Sequence, residues 1–334
     1  MDIYLKKAVM HLIDREVGDP VYSQVELDLT NDYIREYLTK KIQKISSAQT
    51  KTGTLAPASP VAEMLPKVAK DFIAFSELLV GHWYQVYKES EEAPNSDVFV
   101  VLYEEDAKEQ LAWFRVKYKE EYTHFTEMVD QGLLNKLILN RAILGGKTQK
   151  ADEGITINLT NLTYELVEMK QVFSGEKRFY FSTEVIESVP LPSLDENIRV
   201  IKKVAKKMSE KFETPTFDVL ANVQEAVFET IEDSGYLDTT EIAEKVFKEN
   251  ISAKLAFQEE VAEKGVHTQA PLVKEVKEIS EKKFGKQKLK LSNGIELIVP
   301  LEVYRNPDLI EFINNPDGTL SVTIKNVEDI VNKL

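Results

Sequence analysis

The run VFVVLYEEDAKEQLAWFRVKYKEEYTHFTEMV, Val98–Val129, decides the fold class of this chain. It alternates at period two, and YEED (103–106) reads as the turn between two strands. The same period returns in KLILNRAIL (136–144), GITINLTN (154–161), YELVEMKQVF (164–173) and RFYFSTEVI (178–186). Successive strands with short connections predict a largely antiparallel sheet. Along these strands Trp113, Phe114 and Tyr118, or Tyr122 and Phe125, are either stacking platforms for single-stranded nucleic acid or one half of a core. Their alternation with polar residues favours the core.

Outward toward the N-terminus, residues 3–15 and 21–29 read as strands around a Gly18-Asp19-Pro20 turn. NDYIREYLTKKIQKIS (31–46) reads as a helix, SAQTKTGTLAPASP (47–60) as a loop, and 61–89 as a long helical pattern with Pro66 near its start or at a kink. These helices are expected on one face of the sheet. Outward toward the C-terminus, SVPLPSLDEN (188–197) ends the strand region, and Ser193 with Glu196 has capping-box spacing. Helices are predicted over 194–212, about 216–233, 239–248 and 252–264. Strand character returns over 286–326, with a short helix closing the chain. The fold class is therefore α+β, with an N-terminal, mostly antiparallel sheet and packed helices over 1–190. A helical region over 191–265 and a small C-terminal domain containing a β-hairpin over 266–334 complete it.

Composition narrows the chemistry. The chain has 334 residues and no cysteine, which excludes disulfides, thiolate nucleophiles and cysteine-based metal sites. With no signal peptide and no apolar stretch of membrane-spanning length, the expected location is the cytoplasm. The formal net charge is −14, so any nucleic-acid contact has to come from a local basic surface.

Two such surfaces stand out. In ENIRVIKKVAKKMSEKF, Leu194, Ile198, Ile201, Ala205, Met208 and Phe212 form an apolar helical stripe, while Arg199, Lys202, Lys203, Lys206, Lys207 and Lys211 occupy the other sides. Two readings fit: a helix laid along phosphates, or a solvated face. The following stretch, 216–264, holds twelve acids and four lysines, so the two regions could also pair with each other. The second surface is KEVKEISEKKFGKQKLK (274–290), densest at Lys282, Lys283, Lys286, Lys288 and Lys290; its alternative is a solvated hinge. Lysine without arginine suits phosphate contact more than base reading.

Other motifs are weak. LGGKTQK (144–150) has Arg141 where a phosphate loop needs glycine, and fits a loop between strands. His11, His82, His124 and His267 are not spaced as ligands. Acid runs such as ESEE (89–92) read as solvated turns, and NNPDGT (314–319) lacks the rest of a calcium loop. No catalytic residue, metal or cofactor is assigned.

GIELIVPLEVYRNPDLIEFINNPDGTLSVTIKN (294–326), DFIAFSELLVGHWY (71–84) and ITINLTNLTYELVEMK (155–170) together resemble the bacterial nucleoid-associated protein family known as NdpA or YejK-like. The resemblance implies a cytoplasmic protein of the nucleoid, and so DNA or a DNA-bound partner. The Asn315-Pro316-Asp317-Gly318 segment within it reads as hairpin-turn chemistry, with Ile310, Phe312, Leu320, Val322 and Ile324 on one face. The leading expectation is a non-enzymatic protein, a homodimer, contacting DNA nonspecifically through the two basic surfaces. The alternatives are an acidic adaptor whose 216–264 helices bind a basic DNA-management protein, and an enzyme acting on nucleic acid or nucleotide.

Overall fold

The computed structural model describes residues 2–213, 216–248, 250–269 and 271–331. By its own contacts the chain forms two compact units, Met1–Leu194 and Asp195–Leu334.

The first unit runs β1 (Ile3–Ile13), α1 (Asp32–Gln43), β2 (Lys51–Thr54), α2 (Pro60–Met64), α3 (Phe72–Tyr87), β3 (Ser96–Glu105), β4 (Lys108–Val129), β5 (Gly132–Leu144), β6 (Glu153–Asn158), β7 (Thr163–Val167), β8 (Lys170–Phe173) and β9 (Glu176–Phe179). The main sheet has the order β1-β3-β4-β6-β7-β2, with every pair antiparallel and β5 attached to β4. Asp106 and Ala107, both at positive φ, make the tight turn between β3 and β4.

The sheet is covered on both faces, where the sequence predicted helices on one. Val98, Val100, Leu102, Leu111 and Trp113 meet Phe75, Leu79 and Trp83 of α3 on one side. Phe99, Val101, Phe114 and Val116 meet Leu38 and Ile42 of α1 on the other. The unbroken apolar run Val98–Leu102 is the local signature of a strand buried on both faces.

Four further expectations change. Residues 21–29 form no strand: Val21 bridges Leu12, but the Ser23 amide donates to the His11 ring rather than to a ladder. The 47–60 loop contains β2, which pairs with β7. The 61–89 helix is broken, with Pro66 inside a 3-10 turn at Leu65–Lys67 and α3 starting afresh where the Asp71 carboxylate accepts from the Ala74 amide. RFYFSTEVI is strand as far as Phe179 and a π-helical turn over Phe181–Val185.

One polar group lies deep in this unit. Glu153 accepts from Arg115 Nε at 3.1 Å and from the Tyr180 hydroxyl at 2.6 Å, while Trp83 Nε1 donates to Tyr180 at 3.0 Å. The network satisfies a buried ion pair and joins α3, β4 and β6, which is the condition for tolerating charge in a core.

The second unit contains α4 (Leu194–Lys211, beginning at the unit boundary), α5 (Thr216–Ser234), α6 (Thr239–Val246), α7 (Ile251–Glu263), α8 (Val276–Phe284), β10 (Lys286–Lys290), β11 (Glu296–Pro300), α9 (Leu301–Tyr304), β12 (Ile310–Asn314) and β13 (Leu320–Ile324). The predicted middle helices appear as such. Helix α5 packs on α6 and α8, and the Gln287 amide donates to the Ala221 carbonyl at 3.1 Å, so contacts run across residue 265. The 274–290 stretch is helix and strand rather than a hinge. Residues 325–331 have no helix, and 332–334 lie outside the described residues. In the last hairpin Gly318 takes φ +82° and Asp317 accepts from the Thr319 amide, so the NPDG segment is a turn. Its shared face is mostly open: Ile310 is buried, whereas Leu320 and Ile324 are exposed.

Candidate nucleic-acid interface

Helix α4 is amphipathic for a plain reason. Steps of three and four put Ile198, Ile201, Val204, Ala205 and Met208 on one side, and all five are buried. Asp195 and Glu196 in the first turn and Lys211 in the last match the helix dipole. The basic residues must then take the remaining surface. Arg199, Lys203, Lys206, Lys207 and Lys211 are exposed, and Lys202 is half-buried.

At 100° per residue, Arg199, Lys203 and Lys206 fall on one strip, with Lys202 on one flank and Lys207 and Lys211 on the other. Each flank opens onto a groove. The first, of about 770 Å³, is lined by Lys202, Lys288 and Lys290 together with Gln224, Asn293 and Thr319. Lys288 and Lys290 are two apart on β10 and share its exposed side, while Gln287 and Leu289 turn inward. Burial, and then the charge of Lys283, holds the Lys202 ammonium below the ordinary lysine range. That destabilised cation gains from any anion entering the groove.

The second groove, of about 510 Å³, is lined by Lys203, Lys206, Lys207 and Lys264, with Glu210 and Glu260. Glu260 accepts Lys207 at 2.7 Å and Lys264 at 3.6 Å. Part of the basic helix is thus neutralised by the acidic stretch of the same unit, as one sequence reading allowed.

The remaining candidates are scattered. Lys283 pairs with Asp195, and Lys282 pairs with Glu278 one turn away at 3.3 Å. Lys286 is exposed at the start of β10 and lines neither groove. Lys264, Asn293 and Thr319 were not singled out from the sequence. Lys264 sits at the end of an acid-rich helix, where its pairing with Glu260 at i,i+4 is the visible signal and its proximity to α4 is not.

Other chemistry finds little support. The LGGKTQK loop turns carbonyls, not amides, toward its neighbours: Lys41 Nζ donates to the carbonyls of Gly146 and Gln149 at 3.2 and 3.0 Å. A phosphate loop needs the reverse polarity. Among the described residues no group of three or more His, Asp or Glu is placed to hold a metal. Trp113 and Phe114 are core residues, whereas Tyr122 and Phe125 are exposed on the β4–β5 hairpin. Among the described residues no helix is long and apolar enough to cross a membrane.

Fold and surface together define an α+β protein with a lysine-lined helical face. The family is specific: a family model described as nucleoid-associated protein YejK matches residues 9–331, and the chain belongs to that family. No curated protein matches the chain significantly.

Proposed function

We propose that this nucleoid-associated chain is non-enzymatic, cytoplasmic and homodimeric, and contacts DNA nonspecifically through phosphates along the outward side of α4. Lys288 and Lys290 extend the contact across the first groove. The observation that carries this reading is the exposed strip of Arg199, Lys203 and Lys206, which borders the second lysine-lined groove through Lys203 and Lys206 and has Lys202 of the first groove on its other flank. Such a surface acts over about 8–10 Å, so the net charge of −14 does not cancel it at contact.

The test is a titration of labelled duplex DNA over a salt series. Affinity should fall steeply with salt. In the variant Arg199→Glu/Lys203→Glu/Lys206→Glu the slope of log K against log salt should flatten by about 0.9 for each phosphate that is no longer neutralised. Unchanged binding by the folded variant refutes the reading.

The adaptor alternative draws on the acidic helices, but several of their carboxylates already have partners. Glu225 and Glu229 hold Arg305 at 2.8 and 2.7 Å, and Lys245 joins Glu229 to Glu241. No DNA binding even at low salt, with a protein companion retained after nuclease treatment, would decide for the adaptor.

A further inference from the structure

Beyond the sheet, β4 and β5 continue as a two-stranded arm. Strand β6 pairs with β4 over Gln110–Arg115, whereas β5 pairs with it from Tyr118 to Val129. The even-numbered residues of β4 face α1: Ala112, Phe114 and Val116 belong to the α1-side core. By strand alternation Tyr122 and Met128 continue that side, and their partners Leu139 and Leu133 stand beside them, with Leu137 between. Tyr122, Met128, Leu133 and Leu137 are 70, 76, 66 and 74% exposed. The opposite side carries the ion pairs Lys119–Glu121 and Lys136–Glu127, and its apolar residues Phe125, Leu134 and Ile138 are less exposed, at 52, 41 and 40%. His124, Thr126 and Asn135 lie on the α1 side too, so its apolar residues form two patches, Tyr122, Leu137 and Leu139 nearer the root and Met128 with Leu133 at the tip, and exposed patches of this kind mark a contact surface.

At the root of the arm, on the α1 side, lies an apolar groove of about 480 Å³. Met10, Leu27, Ile34, Tyr37, Phe99 and Leu144 line it. The arm therefore has an apolar tip and an apolar socket at opposite ends of one face.

We propose that a second copy of this chain covers this face, the two arms packing antiparallel about a two-fold axis. Each tip, at Met128 and Leu133, then seats in the groove at the root of the partner's arm. Antiparallel pairing of identical ribbons brings tip to root by symmetry, and a two-fold interface requires a surface complementary to itself. The ladder from Tyr118 to Val129 spans roughly 40 Å at ~3.4 Å per residue. With its groove, a face of that length is on the scale of the ~800 Å² per partner of a standard interface. Each copy carries −14, so long-range repulsion opposes the pair and short-range apolar contact must hold it. Dimerisation should consequently strengthen with added salt, opposite to DNA binding; the proposal rests on the homodimeric part of the proposed function and stands independently of the DNA contact through α4.

The absence of cysteine permits a direct test. In the Met128→Cys/Ile34→Cys variant the two thiols of one chain lie near opposite ends of the arm, far beyond the ~7 Å Cα limit for a disulfide. Oxidation should therefore give a covalent dimer, and Met128→Cys alone should not. Leu137→Lys, at a side chain exposed in the single copy, should weaken the dimer about 100-fold while the far-UV circular dichroism of the folded chain stays unchanged. A wild-type protein that is monomeric by light scattering at micromolar concentration overturns the proposal and leaves the face to another partner. So does a dimer that survives Leu137→Lys and fails to crosslink in the double-cysteine variant.

Discussion

His11 shows how burial sets chemistry at a single residue. Its ring is fully inaccessible. Nδ1 accepts from the Ser23 amide at 3.1 Å, so Nε2 carries the proton and donates to Ser76 Oγ at 3.0 Å; Ser76 in turn donates to the Ile73 carbonyl. A second proton would oppose the Ser23 N–H, and burial pulls the pKa down to about 4. The unfolded chain takes up that proton near pH 6.5, the folded chain near 4. The unfolded state therefore binds more protons between those values, and stability falls as pH drops through that window and levels below it, by roughly 3 kcal/mol. An NMR titration of the ring should give a midpoint near 4; a midpoint near 6.5 would show that the ring is not held neutral.

At the scale of elements, β2 explains a misreading. Gly53 made its segment look like a loop, yet it sits in a strand opposite Tyr164. A Cβ there would lie 2.4 Å from the Tyr164 ring, so glycine is required by close approach. Gly53→Ala should destabilise the protein by about 1–3 kcal/mol in urea unfolding, the usual range for overpacking. Tyr164→Leu in the same background should recover part of that loss, because it removes the ring that clashes. Helix α4 presents the converse case. Its stripe and its basic sides were both legible, because period 3.6 separates them without help from any other element. The charge reversals on its exposed strip should consequently leave the melting temperature unchanged while they alter DNA affinity.

At the scale of the whole molecule, the arm and the basic helix act on one measurable quantity. A dimer presents two α4 surfaces, and a bivalent ligand gains affinity from effective concentration rather than from new contacts. Leu137→Lys touches no basic residue. Its apparent affinity for long duplex DNA should still fall, by about 100-fold, while its affinity for a duplex too short to reach both sites stays at the wild-type value. Equal loss on both lengths would mean that the arm contacts DNA itself. Membership of the YejK family sets the setting for these tests, the nucleoid, and leaves the surface to be found by them.

Features with a local period were settled within the sequence. The α+β class, the strands from Val98 to Phe173, the four middle helices and the NPDG turn follow from spacing within a few residues of one another. Features that depend on partners distant in the chain came only with tertiary packing. Both faces of the sheet are covered because α1 and α3 come from opposite sides. Lys202 meets Lys288 and Lys290 because α4 and β10, about 85 residues apart, border one groove. The β4–β5 arm keeps the same alternation as the core strands, and the pattern cannot tell them apart. Exposure is set by which elements come to rest against a face, and no residue encodes that within its own neighbourhood.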